Sequence, residues 1–267
     1  MLPSLVKAAT IQKKIARLTL NNAKKRNALS SATLKQLQTH LQTIDESPDI
    51  RVVIIDSNGP VFSSGHDLNE IRTNADSESE SESESESESL LNLCSSVMQM
   101  IVHMKKPVIA QVEGMATAAG CQLVASCDLA YASSEARFAT PGVNIGLFCS
   151  TPAVALGRCV HRKHAMSMLL TGDSISAEKA ERIGLISAVI DSNIDDEVLK
   201  IAAKIASKSP KAIEIGKPIF YKQLEMPLDA AYQLASKTMV ENMDHDEAIE
   251  GIDAFLTKRT PDWSTKD

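Results

Sequence analysis

Four consecutive β-branched residues, Val52-Val53-Ile54-Ile55, leave no polar face on the strand they form. Successive side chains of a strand point to opposite faces, so such a run belongs in a sheet that is covered on both sides. Upstream, Leu34, Leu37, Leu41 and Ile44 recur at spacings of three, four and three, the buried stripe of an amphipathic helix capped by Ser30 or Ser31. Before that helix, Ile15-Ala16-Arg17-Leu18-Thr19-Leu20 alternates like a strand. Strand, helix and covered strand in that order open an α/β core.

The same reading continues along the chain. Val61-Phe62-Ser63 forms a short strand ending in the bend Ser64-Gly65-His66-Asp67-Leu68. A helix with Leu90, Leu93, Val97, Ile101 and Met104 on one face stops before Pro107, and Val108-Ile109-Ala110-Gln111-Val112 is the next strand. Glu113-Gly114 and the small residues Ala116 to Gly120 open a further helix, and Leu129 to Ala132 a further strand. Helices then dominate, near Pro210–Leu224, Leu228–Met243 and Asp246–Lys258. The organisation expected is a core over 13–200 and a helical region over 201–267. Ser-Glu alternation at 77–89 has nothing to bury and reads as a solvated loop.

Composition removes several classes of function. The net charge of −6 is matched by the six glutamates of the Ser-Glu run, and aromatic residues make up 3%, so neither charge nor stacking surface favours nucleic acid. No run of eighteen apolar residues provides a membrane span. The five cysteines include no Cys-x-x-Cys pair and no metal-type His spacing lies near them, so they read as reduced and mostly buried, with no metal site. From Met1 to Ile44 there are eight Lys or Arg residues and no acid. That bias fits either a targeting remnant or disordered segment over 1–12, or a plain basic strand and helix.

Two glycine-containing bends, Ser64-Gly65-His66-Asp67-Leu68 and Gly114 to Gln122, each follow a strand and precede a helix, where free backbone N–H groups favour negative charge. Together with Arg26-Asn27-Ala28-Leu29-Ser30 upstream, Phe138-Ala139-Thr140-Pro141-Gly142-Val143 downstream, Leu169 to Asp173, and Glu250-Gly251 through Phe255, Lys258 and Arg259, this arrangement resembles the enoyl-CoA hydratase/isomerase, or crotonase, family. The resemblance runs from about residue 10 to the end. It implies a ClpP-like spiral of ββα units followed by a helical C-terminal trimerisation region, in homotrimers or homohexamers. It also implies an acyl-CoA as substrate or ligand, no resident cofactor, and a mitochondrial matrix location with the cytoplasm as alternative. In the family's pattern the backbone N–H groups of His66 and Ala119 are the oxyanion donors. Lys24, Arg26, Ala28, Ser64, Gly65, His66, Asp67, Leu68, Gly120, Phe255 and Lys258 fall at ligand-binding positions.

The departures from that pattern bear on chemistry. Hydratases of the family use two glutamates at positions matching Gln122 and Gly142, and dienoyl-CoA isomerases an acid at the position of Ser150. An amide does not exchange protons near neutrality and glycine has no side chain, so general acid–base work is missing at both. His66 is either a base titrating near neutrality or a donor of its N–H alone with the ring turned to solvent. Asp67 reads as fixing its bend, Cys149 as packing, and Asp128 as a buried structural carboxylate. Three readings follow. One is an acyl-CoA-binding protein with standard hydration weak or absent, one a non-catalytic acyl-CoA-binding regulator, and one an ordinary hydratase/isomerase. A side chain returned to position 142 costs about 1 kcal/mol or more and strains the loop if Gly142 has φ above zero.

Overall fold

The computed structural model describes residues 4–72 and 86–263. Strand β1 (Val6–Ile11) turns back on β2 (Ile15–Leu20), and α1 (Ser31–Glu46) leads to β3 (Val52–Ser57) and β4 (Val61–Ser63). The short α2 (Leu68–Arg72) and long α3 (Glu86–His103) precede β5 (Val108–Val112), β6 (Met115–Thr117) and α4 (Ala119–Ser126). Next come β7 (Leu129–Ser133), β8 (Arg137–Ala139), α5 (Ser150–Cys159), α6 (Arg162–Thr171), β9 (Ile175–Ser176), α7 (Ala177–Arg182) and β10 (Ala188–Ile190). The chain closes with α8 (Ile194–Ala206), α9 (Pro210–Leu224), α10 (Leu228–Met243) and α11 (Asp246–Leu256).

Among the described residues, ten strands form two sheets, one ordered β1-β2-β3-β5-β7-β10 and the other β4-β6-β8-β9. Pairing is parallel from β2 to β10 in the first and from β4 to β8 in the second, with β1 and β9 antiparallel at an edge. Each turn of the chain therefore gives one strand to each sheet and then a helix, which is the ββα spiral. The β-branched run explains the layering. Val53 and Ile55 join the main core with α1 and α3, whereas Val52 and Ile54 meet Ile194, Val198, Ala202 and Ala206 of α8. All four are completely buried, each contributing about 1.5–3 kcal/mol over an exposed position.

Three boundaries differ from expectation. Residues 6–11, read either within a targeting remnant or disordered segment over 1–12 or as a plain basic strand, are strand β1, paired from Val6↔Leu20 to Ile11↔Ile15. Only Val6 of this strand is buried, so an edge strand left almost no hydrophobic pattern to read. The Ser-Glu loop, expected to reach 89, gives way to α3 at Glu86, and 77–85 lie outside the described residues. Glu86 and Glu88 in the first turn suit the positive end of the helix, and Leu90 anchors it in the core. Residue 200 falls within α8, which covers the large sheet. The helices beyond the sheets begin at α9, which packs on α3 and α10.

A buried polar knot fixes α9. Lys217 Nζ donates to the carbonyls of Ile101 and Lys106 at 2.8 and 2.9 Å and lies 2.7 Å from Asp128 Oδ2. The other carboxylate oxygen accepts from the Tyr221 hydroxyl at 2.9 Å, and Oδ2 also accepts from Val108 N at 2.7 Å. Asp128 has the structural place expected of it.

Candidate functional site

The two glycine bends meet at the C-terminal ends of β4 and β6. A Cβ on Gly65 would lie 2.8 Å from the Ala118 Cβ and 3.2 Å from Ala119 N, so only glycine, with φ +86°, lets the segments touch. The Thr117 hydroxyl ties them by donating to Ser64 O at 3.1 Å. Gly120 is a close-approach position as well: a Cβ there would come within 2.5 Å of Ser63 O, so its requirement comes from packing against β4.

Ala118 holds φ 50° and ψ −120°, a backbone conformation costly for a residue with a Cβ. Its N–H donates to Ala139 O at 2.9 Å and its carbonyl accepts from Gln122 N at 3.0 Å. This strained residue starts α4, so Ala119 N is the helix's first amide and has no acceptor within it. On the facing bend, Leu29 N donates to Gly65 O at 2.8 Å, while no backbone acceptor takes the His66 N–H among the described residues. Two amides are thus left undonated on adjoining segments, one of them at the positive end of a helix.

Asp67 secures the His66 bend. Its carboxylate accepts from Lys25 Nζ at 3.0 Å and from Asn69 N and Nδ2 at 3.1 and 3.0 Å, and these bonds, that from Lys25 foremost, hold it below its ordinary acidity range. Lys25 is thereby committed to Asp67. Lys24 and Arg26 remain exposed, with no ion pair among the described residues. Arg26 and Asn27 both adopt positive φ, and buried Asn27 locks the turn by donating to Asn58 O and Val61 O at 2.9 and 2.8 Å. Beside them an open groove of about 580 Å³ is lined by Lys25, Ala28, Ser30, Asp67 and Glu70 among others. Leu68, at the start of α2, is 54% exposed.

The His66 ring does not turn freely to solvent. Its Nε2 is buried without a partner, and burial lowers its pKa from the ordinary 6.5, partly opposed by Glu70. Gln122 Oε1 and Thr140 Oγ1 are buried and unpartnered too. Gln122 stands one turn into α4 with its N–H donating to the Ala118 carbonyl, and Thr140 directly follows Ala139, whose carbonyl accepts from Ala118 N. Sequence reasoning passed over Thr140. Its only signal was its place between the last strand residue of β8 and Pro141.

At Gly142 the surroundings are closed. An added Cβ would sit 2.6 Å from Leu147 O and 2.8 Å from Cys149 Sγ, and Gly142 N donates to that sulfur at 3.3 Å. The obstacle to a side chain is this contact; φ at Gly142 is outside the left-handed range. Cys149 packs as expected, its thiol pushed up in pKa by burial. Ser150 and Asn144 are exposed. Phe255, 83% exposed near the end of α11, and exposed Lys258 just beyond it are not brought to this cluster within a single chain.

A ββα spiral with two facing glycine bends defines the crotonase class. The chain belongs to the enoyl-CoA hydratase/isomerase family, whose pattern it matches over residues 10–266. It is 51% identical over 251 residues to enoyl-CoA hydratase domain-containing protein 3, mitochondrial, of Rattus norvegicus, covering 94% of this chain and 81% of that protein. The crystal structure of human enoyl coenzyme A hydratase domain-containing protein 3 superposes with TM-score 0.90 at 48% identity, covering 97% of this chain and 100% of that one. Similarity extends to 2,3-dehydroadipyl-CoA hydratase of Escherichia coli, 33% identical over 254 residues, 94% of this chain and 96% of the enzyme.

Proposed function

We propose that this protein binds coenzyme A thioesters, with the backbone N–H groups of His66 and Ala119 donating to the thioester carbonyl. The observation that carries the reading is the contact of Gly65 with Ala118 and Ala119, which puts two uncommitted amides on adjoining bends. Donors fixed in advance stabilise charge developing on a carbonyl oxygen without reorganising. Lys24 and Arg26, exposed and without an ion pair among the described residues, flank the groove-lining Lys25 in the chain and suit the anionic nucleotide end of the ligand.

Standard hydration is weak or absent in this reading. General acid–base assistance is worth about 10²- to 10⁴-fold per group, and neither Gln122 nor Gly142 supplies it. The names of the mitochondrial relatives support a mitochondrial matrix location. Exposed Phe220, Leu224, Leu228 and Tyr232 on α9 and α10, each 56–75% open in the single chain, support assembly into trimers or hexamers.

Calorimetry with acetyl-CoA, butyryl-CoA and free CoA, beside a crotonyl-CoA hydration assay, tests the proposal. Thioester binding stronger than that of free CoA, with hydration near background, is the expected result. Absence of binding to any of them at millimolar concentration rejects it, and brisk hydration returns the protein to the ordinary hydratases.

A further inference from the structure

A second pocket lies away from the glycine bends. Those follow β4 and β6, whereas this one sits before β3 and β5, where the chain enters the large sheet from α1 and α3. Its volume is about 220 Å³ with the open mouth included, and Arg51, Lys105, Lys106, Lys208 and Glu214 are among its lining residues. Four cations therefore accompany one carboxylate, in a chain whose formal net charge is −6. Gathering like charges at one spot costs repulsion unless a counter-charge joins them.

The acceptors nearby do not absorb this excess. Lys106, its side chain 5% exposed, meets Glu214 Oε1 at 3.0 Å, which uses one of its three ammonium donors. Arg51 Nη1 donates to Ala206 O at 3.3 Å, one of the five N–H bonds of a guanidinium. Lys105 and Lys208 are exposed and make no ion pair among the described residues; Asp45 accepts only the Lys105 backbone N–H, at 2.9 Å. Helix C-termini attract cations, but α8 already has Arg51, and the end of α3 has Lys217, whose ammonium donates to Ile101 O. The amides that open α9 are occupied too, Lys211 N by Glu247 and Ala212 N by the Ser209 hydroxyl. Side chains, not a helix end, make this site.

Three features narrow the ligand. No aromatic side chain lines the pocket, so a nucleotide base has nothing to stack on. Its closed end admits about one water-sized group, which restricts the occupant to a single compact anion at the mouth. Cations from three segments, a flat guanidinium fork among them, match an anion with three free oxygens and two charges better than a carboxylate with two oxygens and one. We propose that this pocket binds a phosphoryl group, as free phosphate or as the end of a small phosphate monoester, at a site separate from the groove beside Lys25 and Asp67. The bound group ties the α8–α9 turn to the segments that enter β3 and β5.

The test is calorimetry of inorganic phosphate, glycerol 3-phosphate and acetate against the full chain at matched ionic strength, with melting temperature recorded for every variant. One phosphate or monoester per chain should bind, raise the melting temperature, and outbind acetate by about tenfold or more, the scale of one charge-assisted hydrogen bond. Lys105→Gln combined with Lys208→Gln, both at exposed positions, should weaken it by a similar factor, and Glu214→Gln should tighten it by freeing Lys106. Should the double variant fold poorly, Lys208→Glu takes its place with the same loss expected. Tighter phosphate assigns the free ion as ligand, and tighter glycerol 3-phosphate the ester. No phosphate binding at millimolar concentration, or acetate bound equally well, overturns the proposal. So does phosphate affinity unchanged in the well-folded double variant, the cations then serving the helix ends alone. Displacement of phosphate by butyryl-CoA, or its loss in Lys24→Gln with Arg26→Gln, puts the anion in the other groove and overturns it too. Thioester binding is not required here, so failure of either reading leaves the other intact.

Discussion

The His66 ring is held where protonation is unfavourable, and the sign of the consequence follows from linkage. Its folded-state pKa lies below the ordinary 6.5, so between the two values the unfolded chain binds more protons. Stability from this residue is complete above about pH 6.5 and is lost as pH falls toward the folded value. Thermal melts between pH 7.5 and 5 should show the melting temperature dropping through that window, with a shallower drop in His66→Gln. Gly142 yields a second prediction. Returning both acids with Gln122→Glu and Gly142→Glu should not create an efficient hydratase, because the new side chain at 142 meets a backbone carbonyl and a buried sulfur. Overpacking of that kind costs about 1–3 kcal/mol, so the melting temperature should fall with Gly142→Glu. A double variant that hydrates crotonyl-CoA far above the unmodified protein would show that the loop around Leu147 gives way. The glycine bends were legible in the sequence because few residues can replace a glycine where backbones touch. Thr140 was not legible, since a lone hydroxyl before a proline looks like any turn until neighbouring strands enclose it. Nor was the closure of Gly142, which depends on a sulfur seven residues away.

At the scale of elements, the strands and helices that could be read were those that carry their own burial pattern. In α1, Leu34, Leu37, Leu41 and Ile44 are all buried, and the apolar run Val52 to Ile55 of β3 and the whole of β5, Gln111 included, lie inside. The strands β8, β9 and β10 have three, two and three residues, too few for any period, and exist because a neighbour pairs with them. The attachment of α9 also depends on long-range partners, namely the Lys217–Asp128–Tyr221 knot. Both charged side chains are nearly enclosed, 7% and 16% exposed. Removing one partner strands the other, so Lys217→Met should lower stability by about 3–5 kcal/mol in denaturant unfolding. If the variant loses under 1 kcal/mol, the knot is dispensable and α9 is held by apolar packing. At α4 the expectation runs the other way. Ala118→Gly relaxes a strained backbone and should stabilise the fold by about 1 kcal/mol, while loosening the Ala119 amide and weakening thioester binding. Equal or tighter binding in that variant would detach the strain from the site.

For the whole molecule, the exposed apolar residues of α9 and α10 underlie the proposed assembly. Light scattering should give a trimer or hexamer of the 28.8 kDa chain. Phe220→Glu combined with Leu228→Glu should shift it toward the monomer, and a mass unchanged by both substitutions would place the contact elsewhere. The order of strands in the large sheet carries a separate implication for how the chain finds this state. Reading across the sheet, β1-β2-β3-β5-β7-β10 is also the order of synthesis, so each new strand docks on one already made and no strand waits for a later one to be inserted beside it. Growth of this kind can accompany emergence from the ribosome, with the earliest strands acting as a template for those that follow. It leaves β1 and β10 as the rims, each paired on one side, and amide hydrogen exchange should accordingly be slowest in β3 and β5 and fastest at the two ends of the series.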